Sequence, residues 1–158
     1  MNAFISYSMV ENEQYILNLL AQKLGQTGLT LVTSYNQSNF DDLQAANDIR
    51  NSALFIVLIT SAGPPSKTSR VYQEFKQATV HRKPAILLIE DTVNVDSWIE
   101  GYQNTVRFSR YYPDQAIEEV KNRISSSATP QPNSNAAAWV LGGIGVLALL
   151  SWLSEKQR

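Results

Sequence analysis

The chain has 158 residues, room for one ordinary domain plus a remainder, since single cores hold about 100 to 150 residues. A formal net charge of −1 with 17% charged residues leaves no basic surplus to neutralise a run of phosphates, which sets nucleic-acid binding aside. There is no cysteine and one histidine, so disulfides, thiolate nucleophiles, Cys-ligated zinc and HExxH-type sites fall away and no metal is expected.

The start, MNAFISYS, lacks the basic region and long apolar stretch of a secretory signal. Residues 3–7 read instead as a buried strand. In residues 11–24 the apolar side chains Tyr15, Ile16, Leu19, Leu20 and Leu24 recur at helical spacing, with Gly25 as the expected left-handed stop. Residues 29–33 form a second strand after the Gly28 turn, and residues 34–39 a polar, exposed loop. Residues 40–51 make a short helix with Leu43, Ala46 and Ile49 inward. The unbroken apolar run 53–60 suits a strand covered on both faces, the expected centre of the sheet.

Gly63, Pro64 and Pro65 break the chain, after which residues 69–80 place Val71, Phe75 and Ala78 on one helical face, with Glu74 one step off it. His81 is expected as a solvated helix-end residue. Residues 85–89 form another apolar strand ending in Glu90 and Asp91. A weak helix over 96–102 and a short strand over 106–108 follow. A final amphipathic helix over 113–124 has Ala116, Ile117, Val120 and Ile124 inward. Strands alternating with helices of this length predict an α/β fold of flavodoxin type. A central parallel five-stranded sheet carries helices on both faces, and its site lies at the carboxyl ends of the strands.

Residues 125–135 are Ser, Pro, Asn and Gln with nothing to bury, the composition of a flexible linker. Residues 136–153 carry no charge, with Trp139 and Trp152 near the ends, and a bilayer core calls for roughly 17 to 25 such residues. The reading is a single-pass C-terminal membrane anchor with the domain of residues 1–124 in the cytoplasm and residues 154–158 as a short polar tail. A buried or self-associating soluble helix is the alternative. Ala138 and Gly142 offer a weak signal for helix pairing.

No Walker A or GxGxxG pattern is present, so kinase, GTPase and dehydrogenase readings lose their phosphate cradle. Three polar clusters remain at strand ends: Ser6 to Ser8, Ser34 to Asn39, and the loop from Thr60 into the Glu74 helix. A parallel sheet brings such loops together.

The opening FISYS, the helix ending in LG, the buried ALFIVLIT run and the segment SRVYQEFKQATVHRKPAILLIED together resemble the Toll/interleukin-receptor (TIR) domain over residues 1–124. In catalytic members of that family the glutamate at this place is required for splitting NAD+ at the nicotinamide–ribose bond, and the resemblance puts that role on Glu74. It also implies that Ser6, Tyr7 and Ser8 line the cleft and that Tyr35 and Asn36 belong to a gating and assembly loop. Arg70 and Tyr72 flank the glutamate, Arg70 meeting an NAD+ phosphate or pairing with an acid. Two positions depart from the family pattern: Ser34 stands where an aspartate is usual, and Arg70 where a tryptophan is. The loop between strand and helix is shorter and lacks a glycine.

The function expected is therefore a membrane-anchored NAD+ glycohydrolase or cyclase, active when clustered and acting in immune or antiphage signalling. NAD+ is its substrate and no cofactor is needed. Its partners are other TIR domains, as a homo-oligomer or filament, and the membrane. The alternative is a non-catalytic adaptor working through TIR–TIR assembly. An unrelated receiver domain would need an acidic pair after the first strand, where Ser6 to Ser8 stand.

Overall fold

A computed structural model describes residues 1–33 and 42–128. Five parallel strands, β1 (Asn2–Ser8), β2 (Thr30–Val32), β3 (Leu54–Ile59), β4 (Ala85–Glu90) and β5 (Thr105–Phe108), form one sheet in the order β2-β1-β3-β4-β5. They are connected by helices α1 (Gln14–Gly25), α2 (Asp42–Asn51), α3 (Pro65–Val80) and α4 (Ser97–Glu100), and α5 (Pro113–Ala128) follows the last strand. A single 3-10 turn, Glu11–Glu13, precedes α1. The α/β class, the parallel sheet of five strands and the central place of β3 agree with the sequence reading.

Alternation along the strands sorts the core. Ala3 and Ile5, Leu54, Ile56 and Leu58, and Ile86 and Leu88 face α1 and α5. Phe4, Phe55, Val57 and Ile59, and Ala85, Leu87 and Ile89 face α2 and α3. Both faces are covered, which is why the strands read as unbroken apolar runs.

Three details differ from the sequence reading. Leu43 is 75% exposed, because two successive three-residue steps back from Ile49 drift roughly 120° around a 3.6-residue helix; α2 buries Ala45 and Ile49 instead. Tyr15 is 51% exposed and its hydroxyl donates to the carbonyl of Arg110. Leu17 takes its place in the core. Gly25 is the last residue of α1 rather than its left-handed stop; positive φ occurs three positions on, at Gly28 (φ 83°). There the Leu29 N–H bonds the Leu24 carbonyl and the Gly28 N–H that of Gly25, the paired bonds of a Schellman ending.

At the other end, α5 continues to Ala128, past residue 124; among its described side chains Ile124 is the last buried one. The proposed anchor at 136–153 lies outside the described residues, among which no helix is long and apolar enough to cross a membrane.

Candidate active site

β1 ends in alternation between Ser and Tyr, so Ser6 and Ser8 point to the α3 side while Tyr7 packs with the opposite core. In the sheet, Ser6 sits beside Val57 and Ser8 beside Ile59, at the place where strand order reverses between β1 and β3. Ligands of open α/β sheets bind near such a switch point.

Glu74 comes to this place from α3. It shares that helix with the buried Val71, Phe75 and Ala78 and is only 5% exposed. Its Oε1 accepts from the Ser6 hydroxyl at 3.3 Å and from Arg70 Nε at 3.1 Å. Arg70, one turn earlier, is thereby an ion-pair partner of the acid, the second of the two roles the sequence allowed it. Removing a carboxylate from water costs several kcal/mol, and one ion pair rarely returns it all.

Between α2 and α3 lies a cavity of about 350 Å³ lined by Ala45, Ala46 and Ile49 on one side and Arg70, Gln73, Glu74, Lys76 and Gln77 on the other. An acid, two cations and two amides thus border an apolar floor. An apolar pocket with a few converging polar groups is the usual form of a small-molecule site.

The other expected residues are placed as follows. The Ser8 hydroxyl meets the Thr68 hydroxyl at 2.8 Å, near the start of α3. Tyr7 is on the far face of β1, its hydroxyl bonded to the Thr33 side chain. Burial pushes the Tyr7 phenol above its ordinary value of 10.0, partly offset by Thr33 and the charge of Arg70. Tyr72 packs edge-on against Trp98 and is not among the residues lining the cavity. Tyr35 and Asn36 lie outside the described residues. Of the expected set, then, Ser6, Arg70 and Glu74 come together.

A second polar cluster occupies the carboxyl ends of β3 and β4. Glu90, 2% exposed, accepts from the Ser61 N–H at 2.6 Å and from Arg110 Nε at 2.9 Å. Burial alone raises the Glu90 carboxyl, but the Ser61 and Arg110 bonds outweigh it and hold it below the ordinary value. Arg110 also donates to Glu13 at 2.6 Å, and Thr60 to Glu13 at 2.5 Å. The sequence marked Glu90 by ending an apolar strand in an acid. Arg110, in a turn 97 positions from Glu13, carried no local signal.

No family profile matches the chain, and no curated protein matches it in sequence. Among solved structures, the CMP N-glycosidase BcmB of Clostridium botulinum superposes with a TM-score of 0.55 at 18% identity, over 76% of this chain and 98% of that one. At that identity the likeness establishes a shared fold.

Proposed function

We propose that this protein cleaves an N-glycosidic bond of a nucleotide, and that its substrate is NAD+, split between nicotinamide and ribose. The observation that carries the reading is Glu74: a carboxylate almost removed from water, held by Ser6 and Arg70, in the wall of a cavity large enough for part of a dinucleotide. A fold shared with a nucleotide N-glycosidase supports the bond class. The TIR-like run around Glu74 supports NAD+.

Nicotinamide in NAD+ is already cationic, so it needs no general acid to leave. As the C1′–N bond lengthens, its electron pair passes to the ring nitrogen and positive charge develops on the ribose. A fixed carboxylate in a site of low water content stabilises that charge. Arg70 and Ser6 hold the Glu74 carboxylate aimed, and Lys76, on the same cavity wall, meets a phosphate. Water then adds to C1′, releasing one proton; an adenine nitrogen in its place gives a cyclic product. Anchoring by residues 136–153 and clustering through copies of the domain complete the proposal, and place the reaction at a membrane on the cytoplasmic side.

Nicotinamide release from NAD+ by the lipid-reconstituted chain tests it. Glu74→Gln keeps the shape of the side chain and removes its charge, and the rate is expected to fall by about 10² or more. Equal, negligible release by both forms would favour the adaptor reading. Release of cytosine from CMP, with NAD+ left intact, would retain the bond class and replace the substrate.

A further inference from the structure

The amino edge of the sheet, opposite the carboxyl ends of the strands, holds a separate cavity of about 300 Å³. It is lined by Asn2, Asn51, Ser52, Ala53, His81, Arg82, Lys83 and their neighbours. Three consecutive basic side chains border it, and no carboxylate does. Among the described residues, none of the three makes a side-chain hydrogen bond or ion pair.

The ordinary task of cations here would be to satisfy the carbonyls at the end of α3. Backbone groups already do so. The N–H groups of His81, Arg82 and Lys83 bond the carbonyls of Gln77, Thr79 and Ala78. At the end of α2 the Ser52 N–H and hydroxyl take those of Ile49 and Asp48. The side chains are left for something else.

Arg82 stands at φ 53°, the one non-glycine with positive φ among the described residues. It occupies the left-handed position of a Schellman ending, where glycine is the low-strain choice. A residue in a strained backbone conformation therefore borders the cavity with its side chain. Lys83 is half-buried, and that burial lowers its ammonium below the ordinary value of 10.5 with no opposing anion to raise it.

We infer that this cavity binds a phosphoryl group, from a free phosphate compound or from a lipid headgroup. A dianion answers the Arg82 and Lys83 cations together, and the guanidinium fork of Arg82 matches two of its oxygens. The site stands apart from Glu74 and does not depend on the reaction proposed there.

The test follows backbone amide resonances of the full chain in detergent micelles during titration with inorganic phosphate. Saturable shifts are expected at residues 51–53 and 81–83. Arg82→Gly and Lys83→Gln are each expected to weaken binding by roughly tenfold or more. Glycine accepts the Arg82 backbone, so that variant keeps its fold, and its melting temperature verifies this. Vesicles of phosphatidylcholine with and without phosphatidic acid separate the two sources: a dependence on phosphatidic acid with no response to phosphate assigns the lipid. Absence of saturable shifts in both arms, or equal affinity in the parent chain and both variants, overturns the site.

Discussion

Glu74 and Glu90 are both buried acids held by an arginine, and their surroundings separate them. Glu74 borders a cavity, whereas Glu90 is bonded to Ser61, Thr92 and Arg110 and ties two loops to the sheet. Stability is where Glu90 is expected to matter. Its carboxyl lies below the ordinary value of 4.5 in the folded chain. A depressed acid contributes stability that is present above its unfolded pKa and lost as pH falls through the folded one. Glu90→Gln is therefore expected to melt lower than the parent at neutral pH, with the difference closing below about pH 4.5. Melting curves across pH check this; a gap that stays constant in acid would show that Glu90 acts by shape alone.

At the scale of elements, the turn from β3 into α3 sets where Glu74 stands. Pro64 precedes the helix with extended backbone and Pro65 opens it, where a missing N–H costs nothing. Gly63 lies so close to the end of β1 that an added Cβ would meet Ser8 Oγ at 2.2 Å, its carbonyl oxygen at 2.5 Å and carbonyl carbon at 2.6 Å. Two of those atoms are backbone and cannot swing away. Gly63→Ala is expected to destabilise the chain by about 1 to 3 kcal/mol and to impair nicotinamide release by displacing α3. Adding Ser8→Ala is expected to recover little, because the backbone clash remains. Chemical denaturation of the single and double variants measures both effects.

Across the whole molecule, the sheet face under α2 and α3 is organised by a run of rings. Phe4 stacks on Phe55 at 5.6 Å, Phe55 on Phe75 at 6.0 Å and Phe75 on Trp98 at 5.5 Å, joining β1, β3, α3 and α4. Phe55→Ala removes the ring shared by the first two contacts and is expected to cost about 3 to 5 kcal/mol, read from the denaturation midpoint. The tail belongs to this scale too. The full chain is expected to sediment with lipid vesicles and the chain ending at Ala128 to stay in the supernatant. Equal sedimentation would place the membrane contact within the domain.

What residue order alone determined was periodicity. Unbroken apolar strands, helices with an apolar stripe, and glycine and proline at their ends are local properties, and from them the parallel sheet of five strands and its central β3 were legible. Glu74 was marked by the motif around it, through resemblance, since one glutamate in a helix resembles any other. Tertiary structure decided which side chains meet: Ser6 reaches Glu74 across 68 positions and Arg110 reaches Glu13 across 97, separations at which no local pattern operates. It also decided the phase of α1, whose apolar stripe is narrow, so that Tyr15 turned outward and Leu17 inward. Contacts between distant segments depend on how the layers close over the sheet, and that closure is set by all the core side chains together.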